Sequence, residues 1–363
     1  MTVRWGVVGP GRIATSFAQG MTMVDGGAIT AVASRSAERA HAFADRFGIA
    51  ARYDGYEALA EDPDVDAVYV ATPHAQHEAN TLLFIEAGKH VLCEKPFALD
   101  AQQAQRMADA ARAEGVFCME AMWSRFLPAY RMLVELLAAG RIGEPLLVEG
   151  DFGYRVPVVP DDRHFDLAQG GGALLDLGIY PVQLCTLVLG LPDRVSADGI
   201  IGTTGVDEHV AAVLHHPGGG LGVLKAALRA PLACTARIAG TEGWIQLPAF
   251  MHCPEWLEVS GPTGPERIDA GYEGEGLRFQ VEEVHRCLDE GLTESPVMTL
   301  DETIGIARVL DDIRAQIGVV YPGESHEQTK RRVRQDLAGQ DLVAELLADR
   351  RAESAAEDES AGS

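Results

Sequence analysis

The sequence predicts an α/β fold in two parts, a parallel sheet followed by an α+β domain built on a mostly antiparallel sheet. Short apolar runs alternate with helix-length segments over the first third of the 363 residues, and a glycine-rich turn follows the first run. Further along, a succession of strand-like segments lies between helices. The first pattern is typical of a parallel sheet with helices on both faces, and the second is typical of an antiparallel sheet.

Hydrophobic periodicity places the elements of the first part. Continuous apolar runs predict buried strands at 3–8, 29–33, 67–71, 90–93 and 116–119. Helical spacing of apolar residues predicts helices over 13–21, 37–47, 76–87 and 101–113. A helix between most successive strands is the connection that a parallel sheet needs.

The pattern changes near residue 123, where we predict a helix over 131–139 and a long strand over 145–155. The turn Gly170-Gly171-Gly172 opens an apolar helix from 173 to about 189. Strands are predicted at 194–201, 209–215, 222–228, 235–239, 244–247 and 256–260, followed by helices over 277–290 and 300–316. We therefore expect domains at 1–122 and 123–323. An acidic tail at 324–363 is predicted to hold one helix around 335–347 and a disordered end at 352–363.

Composition excludes several classes of function. With 30 basic and 54 acidic residues, the net charge of −24 repels phosphate backbones and anionic lipids, so nucleic acid and membrane partners are disfavoured. No uninterrupted apolar run has the length of a membrane span, and a strand at the very start leaves no room for a signal peptide. Six scattered cysteines indicate reduced, mostly buried thiols. We expect a cytoplasmic protein.

The segment Gly9-Pro10-Gly11-Arg12-Ile13-Ala14 follows the first strand and fits the pattern G-x-G-x-x-A. In such a turn the first glycine permits the tight bend, the second lets the backbone approach a pyrophosphate, and the helix N-terminus faces the anion. A glycine turn without a ligand is the alternative, but the strand–turn–helix context favours a dinucleotide site at Gly9, Gly11, Arg12 and Ile13.

The end of the second strand bears on the choice of coenzyme. An acidic residue there would hold the ribose hydroxyls of NAD, whereas this chain has Ser34, Arg35 and Ser36, with Arg39 one helical turn further on. Guanidinium groups and a hydroxyl suit a 2′-phosphate. We therefore predict NADP and leave the use of NAD open. The alternative is that these arginines are solvated residues at a helix start.

Two further segments, AVYVATPHAQHEAN at 67–80 and AGKHVLCEKP at 87–96, together with the glycine loop, resemble the Gfo/Idh/MocA oxidoreductase family. The resemblance implies an N-terminal Rossmann domain and a C-terminal α+β domain on an open, mostly antiparallel sheet. The segments MEAMWSRFLP, GGGALLDLGIYPVQ and IGVVYPGE look like the branch of dimeric dihydrodiol dehydrogenases and D-xylose 1-dehydrogenases.

The same resemblance implies roles for individual residues. Lys95, in the motif Glu94-Lys95-Pro96, would lie near the nicotinamide and polarise the substrate oxygen. Other residues would edge the cofactor groove: Ala71, Thr72, Pro73, His74, His77 and Glu94. Many members carry D-x-x-x-H on the active-site helix, whereas this chain has Asp176 and Tyr180. The tyrosine agrees with the dihydrodiol branch and weakens an inositol assignment.

Asp176 and Tyr180 are four residues apart on an apolar helix, so they share one face. We predict that Tyr180 exchanges a proton with the carbinol oxygen and that Lys95 stabilises its phenolate, lowering the tyrosine pKa toward the working pH. Asp176 would orient substrate hydroxyls or the lysine. The alternative is a core tyrosine with an aspartate near a helix N-terminus.

Aromatic and basic residues of the second domain complete the predicted site. Phe152, Tyr154 and Phe165 are predicted to wall a ring-shaped pocket, with core packing as the alternative. Trp123 and Arg125 begin the domain, and Arg125 is predicted to contact cofactor or substrate across the cleft, with a packed junction as its alternative. No third ligand accompanies His74 and His77, so no metal is predicted.

We therefore expect an NADP-dependent oxidoreductase that transfers a hydride between the nicotinamide and a carbinol carbon of a sugar, polyol or cyclic trans-diol. The alternatives are another sugar or inositol dehydrogenase or ketoreductase of the family, or a dinucleotide-binding sensor without catalysis. Lys95 together with Tyr180 argues against the sensor. Because the family's second sheet often has an open face, we also expect a homo-oligomer, a dimer or a tetramer.

Overall fold

Six parallel strands form the first sheet in the order β3-β2-β1-β4-β5-β6. A computed structural model describes residues 2–262 and 264–324 of the chain. The strands are β1 (Val3–Val8), β2 (Gly27–Ser34), β3 (Ala51–Asp54), β4 (Ala67–Val70), β5 (His90–Glu94) and β6 (Cys118–Ala121). The strand order reverses between β1 and β4, and in such sheets ligands bind beyond the carboxyl ends of the strands at that point.

Five helices connect these strands: α1 (Arg12–Met21), α2 (Ala37–Phe47), α3 (Glu57–Ala60), α4 (His77–Glu86) and α5 (Ala101–Glu114). Local signals fix their ends. The hydroxyl of Ser36 accepts the backbone N–H of Arg39 to cap α2, and the carboxylate of Asp100 caps α5. Glycines in the left-handed conformation, Gly48 and Gly115, end the same two helices.

Eight strands form the second sheet in the order β14-β13-β12-β11-β7-β10-β9-β8. Only β7 and β10 pair in parallel; the other neighbours are antiparallel. The strands are β7 (Pro145–Gly153), β8 (Arg194–Ile201), β9 (Asp207–His215), β10 (Leu221–Ala227), β11 (Ala236–Gly240), β12 (Trp244–Leu247), β13 (Trp256–Gly261) and β14 (Gly264–Asp269). The predicted α/β fold with a mostly antiparallel second sheet is confirmed.

One face of the second sheet carries the helix α7 (Ile179–Leu189), which follows a π-helical turn, Leu174–Gly178. A Cβ at Gly150 of β7 would lie 3.0 Å from the Cβ of Pro181, so the bare glycine lets this helix approach the sheet closely. The remaining helices are α6 (Pro128–Ala138), α8 (Arg278–Asp289) and α9 (Leu300–Ile317).

The segment Leu167–Leu189 is long and apolar enough to cross a membrane, although no span was predicted from the sequence. In the fold, however, 83% of its most apolar stretch is buried, which is the environment of a core helix. It packs among the apolar residues that join the second sheet to the first. Five of the six cysteines are also buried, as predicted for Cys93 and Cys118 on β5 and β6.

Both sheets belong to one compact unit, Met1–Tyr321. The first sheet ends at Ala121 and the second begins at Pro145, while the domain limits at 122 and 323 stay a prediction. Two strands, β3 and β14, and the short helix α3 were not predicted. The helix expected around 335–347 and the disordered end expected at 352–363 lie outside the described residues.

Candidate active site

A cavity of about 920 Å³ opens at the carboxyl ends of β1, β2, β4 and β5 and extends to the second sheet. Every residue predicted to bind the cofactor lines it: Gly9, Gly11, Arg12, Ile13, Ser34, Arg35, Arg39, Ala71, Thr72, Pro73, His74, His77, Glu94 and Lys95. At its other end lie the predicted residues Trp123, Phe152, Tyr154, Asp176 and Tyr180. The fold thus brings the two predicted groups into one continuous space.

The glycine loop has the shape that a pyrophosphate needs. Gly9 adopts a φ of +82°, and a Cβ there would lie 2.8 Å from the carbonyl oxygen of Ala71, so no other residue fits this bend without strain. A Cβ at Gly11 would meet no atom closer than 3.9 Å and would occupy the space beside the loop. The helix α1 begins at Arg12 without a side-chain cap, so its first backbone N–H groups are available to bind an anion in this place.

Beyond β2 the cavity is lined by Ser34, Arg35, Ser36, Arg39 and Tyr56. Burial raises the pKa of the Tyr56 hydroxyl, and the nearby guanidinium groups of Arg35 and Arg39 oppose that shift. The tyrosine therefore lies beside both arginines, although no sequence pattern had pointed to it. Among the described residues that line the cavity, only Glu94 and Asp176 carry carboxylates. Neither follows β2, so none of the described residues that line this end of the cavity carries a carboxylate.

Lys95, directly after β5, lies at the centre of the inner end. Its ammonium group donates to the backbone oxygen of Asp176 at 2.7 Å and to Oδ1 of the same residue at 3.1 Å. It also lies 5.0 Å from the centre of the Tyr180 ring. Burial lowers the pKa of Lys95, but the charges of Asp176, Tyr180 and Glu94 together outweigh burial, so the pKa lies above its ordinary value. Lys95 is thus a fixed cation.

Asp176 lies in the π-helical turn before α7, and its side chain is 6% exposed. Burial alone would raise the pKa of this carboxyl, but Lys95 and Arg163 hold it well below its usual range. Arg163 donates from Nη1 to Oδ1 at 3.1 Å and from Nη2 to Oδ2 at 3.3 Å. No sequence pattern pointed to Arg163, which lies in an irregular loop after β7.

The hydroxyl oxygen of Tyr180 accepts the indole N–H of Trp123 at 3.1 Å. Burial raises the pKa of Tyr180, and the opposing effect of Lys95 is smaller, so the pKa lies above its ordinary value. The sequence-based expectation of a lowered pKa was therefore wrong for the net shift, although Lys95 does act in the predicted direction. At this buried position, the free-energy cost of ionising the hydroxyl is larger than the stabilisation that the charge of Lys95 provides.

An aromatic wall, defined here as Trp123, Phe152, Tyr154 and His252, surrounds Tyr180. The ring of His252 stacks on Phe152 with centres 4.6 Å apart, and its centre lies 4.9 Å from that of Tyr180. Burial lowers the pKa of His252 to about 3, so this ring is uncharged at neutral pH. No sequence pattern pointed to His252, because its loop after β12 has no hydrophobic period.

Histidines and an acid at the ends of β4 and β5 shape the middle of the cavity. His74 Nδ1 lies 2.9 Å from the carbonyl oxygen of Gly170, and burial lowers the pKa of His74 to about 3. His77 bridges two turns, with its ring nitrogens each 2.8 Å from the carbonyl oxygens of Pro96 and Thr72. Glu94 accepts the hydroxyl of Tyr69 at 2.5 Å.

Two predicted residues lie outside the cavity. Arg125 is buried and donates to Oε1 of Gln183 at 2.5 Å and to Oε1 of Glu302 at 2.7 Å, so it ties α7 to α9. The expected contact across the cleft was wrong, and the packed junction is what the structure contains. Phe165 is fully buried in the core and forms no wall of the pocket.

Family models match both halves of the chain. The model described as "Oxidoreductase family, NAD-binding Rossmann fold" matches residues 3–122, and the model described as "GFO/IDH/MocA C-terminal domain" matches residues 130–246. Similar proteins include the trans-1,2-dihydrobenzene-1,2-diol dehydrogenases of Bos taurus, 39% identical over 337 residues, and Homo sapiens, 38% identical over 332 residues. These matches cover 90% and 89% of this chain and 100% and 99% of the relatives.

Solved structures agree with this assignment. A 3-ketoreductase from Actinomadura kijaniata, in complex with NADP and TDP-benzene, superposes with a TM-score of 0.77 at 27% identity, covering 87% of this chain and 98% of its own. An aldose-aldose oxidoreductase from Caulobacter crescentus shares the fold, with a TM-score of 0.79 at 23% identity over 87% of this chain and 97% of its own. With both domains matched and dehydrogenases related over nine-tenths of its length, the chain belongs to the Gfo/Idh/MocA oxidoreductase family.

Proposed function

We propose that the protein is an NADP-dependent dehydrogenase that oxidises a carbinol carbon of a cyclic trans-diol, with sugars and polyols as the second candidate substrates. The observation that carries this proposal is the cluster of Lys95, Asp176 and Tyr180 beneath an aromatic wall, at the inner end of a cavity that begins at the glycine loop. The same cavity thus contains both the groove that we assign to the coenzyme and the group that we assign to proton exchange.

The residues around the cavity fit a bound dinucleotide. Gly11 and the start of α1 would hold the pyrophosphate, and Arg35 and Arg39 would hold the 2′-phosphate. The 3-ketoreductase that resembles this chain is a complex with NADP, which supports the same choice. When bound, the nicotinamide supplies the hydride acceptor or donor, and the protein supplies position and proton transfer.

Tyr180 is the group that we assign to the proton. Its hydroxyl oxygen already accepts from Trp123, so its own hydrogen is left for the substrate oxygen. Two of the three N–H groups of Lys95 donate to Asp176, so one remains for the substrate oxygen. During oxidation the phenolate form of Tyr180 takes the carbinol proton while Lys95 stabilises the oxygen, and during reduction the protonated form gives its hydrogen to that oxygen.

The aromatic wall favours a ring with an apolar face over a free sugar. Trp123, Phe152 and His252 offer flat faces beside Tyr180, whereas a sugar needs polar partners for each hydroxyl. Relatives that are 38–40% identical bear the name trans-1,2-dihydrobenzene-1,2-diol dehydrogenase, which supports the same class. Sugars are the second candidate because Arg163 lines the cavity with a partly exposed guanidinium group, which would offer hydrogen-bond donors to sugar hydroxyls.

Formation of NADPH tests this proposal. Trans-1,2-dihydrobenzene-1,2-diol and trans-cyclohexane-1,2-diol are compared with their cis isomers, D-xylose and myo-inositol at equal concentrations. We expect the trans-diols to give the highest kcat/KM. Turnover of D-xylose with silent trans-diols would move the substrate to the sugars. Tight NADP binding with no turnover of any compound would favour a sensor.

We also propose that the protein forms a homo-oligomer through the second sheet. Its edge strand β8 exposes Ile200 and Ile201, which are 60% and 38% accessible. Apolar side chains at a sheet edge favour contact with another chain. Sedimentation would show a species of at least twice the monomer mass.

A further inference from the structure

We propose that Arg163 is a positioning residue for the reaction, which holds Asp176 and thereby sets the direction of Lys95 beside Tyr180. The inference rests on the proposed function, because it assigns a role within the same site. Arg163 lines the cavity but lies in the loop after β7, remote in sequence from both the Glu94-Lys95-Pro96 motif and the helix that carries Tyr180.

Arg163 forms a bidentate contact with the carboxylate of Asp176. Both terminal nitrogens of the guanidinium group reach the carboxylate, one to each oxygen. Oδ1 is shared, because Lys95 also donates to it at 3.1 Å. Planar, two-pronged pairs of this kind fix orientation as well as charge. Since the Asp176 carboxylate is buried, Arg163 determines where that carboxylate, and with it Lys95, can point.

The loop holds the guanidinium group in this orientation through His164. The imidazole Nδ1 of His164 bonds to the carboxylate of Asp162, which assigns its proton to Nδ1. Nε2 is then an acceptor, and Nη2 of Arg163 donates to it at 3.0 Å. The hydroxyl of Tyr154 lies 3.4 Å from the same nitrogen. The arginine therefore does not depend on Asp176 alone for its position.

The contact between Arg163 and Asp176 also changes the balance of charge near Tyr180. Lys95 and Asp176 alone would form a neutral pair, and Arg163 makes the cluster of three groups net +1. The other titratable groups that act on Tyr180 or lie near it are Glu94, Tyr69, Tyr130, His74 and His252. Arg163 and Asp176 are also faced by Asp162 and by His164, whose Nε2 lies 3.6 Å from Oδ2 of Asp176. Burial raises the pKa of Glu94 and of both tyrosines, and lowers that of both histidines. Arg163 pairs with the carboxylate of Asp176, which raises the pKa of Tyr180, so the positive charge of Arg163 offsets a group that disfavours the phenolate.

A direct contact between Arg163 and the substrate is the competing role, because its side chain is 47% exposed. The two roles predict different kinetics. A substrate contact would raise KM and leave the pH dependence of kcat in place. A positioning role would change kcat and move its pH dependence, because kcat reports the ionisation of groups in the enzyme–substrate complex.

The variants Arg163→Gln and Arg163→Lys separate these roles, with Arg155→Gln as the matched control. Arg155 is an exposed arginine of the same loop and does not line the cavity. The measurement is kcat and KM for trans-diol oxidation with NADP over a range of pH. For Arg163→Gln we expect kcat at pH 7 to fall by about tenfold and the midpoint of its rise to move alkaline by about 0.5–1 unit. The lysine variant should keep most of the wild-type midpoint. A raised KM with an unmoved midpoint, or an equal shift in Arg155→Gln, overturns the proposal.

A second measurement does not depend on turnover. The tyrosinate absorbance of wild type minus that of Tyr180→Phe reports the ionisation of Tyr180 in the NADP complex. The same difference is taken between Arg163→Gln and the double variant. We expect a higher midpoint without Arg163, and equal midpoints overturn the proposal. If wild type turns over no diol or sugar, the proposed function fails, whereas this titration still decides the role of Arg163.

Discussion

Trp123 and Tyr180 meet through one hydrogen bond, in which the indole N–H donates to the tyrosine oxygen at 3.1 Å. Trp123 opens the short 3₁₀ turn after β6, and Tyr180 lies in the first turn of α7. The bond therefore joins the end of the first sheet to the helix that carries the proposed proton carrier. Because the oxygen is already an acceptor, the hydroxyl hydrogen is directed toward the space that the substrate would fill.

Loss of this hydroxyl should abolish most of the turnover. For Tyr180→Phe we expect kcat to fall by about 10²-fold or more, the usual scale for losing acid–base catalysis, while the Kd of NADP stays near normal. Tyr53→Phe is a matched control, because it removes a hydroxyl that bonds only to Asp62, outside the cavity. Unchanged turnover in Tyr180→Phe would contradict the assignment.

The direction of the Tyr180 pKa shift predicts opposite pH profiles for the two reaction directions. Burial raises the pKa of Tyr180 against the opposing effect of Lys95, so the hydroxyl is protonated at neutral pH. Oxidation needs the phenolate and should speed up as pH rises above neutrality. Reduction needs the protonated form, so it should stay level above neutrality and slow down only as the pH approaches this raised pKa. Steady-state kcat in both directions checks this, and oxidation that slows between pH 7 and pH 9 would exclude Tyr180 as the base.

Removal of Lys95 should affect both rate and pH dependence. Lys95→Ala deletes the cation that opposes the raised pKa of Tyr180, so the alkaline rise of kcat in oxidation should move to higher pH. It also leaves the buried carboxylate of Asp176 with Arg163 as its remaining close cation. Lys225→Ala, which removes an exposed lysine paired with Asp151, serves as the control. A profile that keeps its midpoint would show that the lysine does not tune the tyrosine.

Local patterns predicted the parts of the site that have a fixed spacing. The glycine loop, Lys95 after an apolar strand, and Asp176 with Tyr180 on one helix all lie at the cavity. Tyr56, Arg163 and His252 come from loops without a hydrophobic period, so only the three-dimensional fold brings them there. The unpredicted strands β3 and β14 lie at sheet edges, where alternating or full exposure removes the apolar run that marks a buried strand.

Arg125 illustrates why proximity in sequence misleads. It follows Trp123 by two residues in a 3₁₀ turn, which has about three residues per turn, so the two side chains leave the turn in different directions. Trp123 reaches the cavity, while Arg125 points between α7 and α9. The sequence shows the charge of Arg125 but does not show that Gln183 and Glu302 meet it.

Arg125→Ala should therefore reduce stability and leave the chemistry intact. The change leaves Gln183 buried without its donor and Glu302 without its partner, so we expect the free energy of unfolding to fall by about 2 kcal/mol. Turnover per folded molecule should stay within about twofold of wild type. Chemical denaturation and kcat of the soluble fraction measure the two effects. Normal stability with lost coenzyme binding would restore a role at the cleft.

We expect the choice between NADP and NAD to depend on the residues at the end of β2. Arg35 and Arg39 line the cavity beside Tyr56, and no carboxylate lines that end among the described residues. A charge-assisted hydrogen bond contributes about 10- to 100-fold in affinity, so we expect kcat/KM with NADP to exceed that with NAD by at least about tenfold. Arg35→Ala should weaken NADP and leave NAD nearly unchanged, because NAD offers only hydroxyls at this place.

Arg35→Asp should go further and reverse the preference, because it adds repulsion of the 2′-phosphate and an acceptor for the ribose hydroxyls. We expect Arg39 to share the 2′-phosphate with Arg35, so the single alanine variant should show a partial loss and the double variant a larger one. Arg46→Ala is the matched control. Arg46 lies on α2, as Arg39 does, but it packs over Phe47 and does not line the cavity. Steady-state kinetics with both coenzymes decide between the outcomes. A wild type that prefers NAD, or an Arg35→Ala enzyme that loses both coenzymes equally, would mean that these arginines hold the dinucleotide at a group that the two coenzymes share.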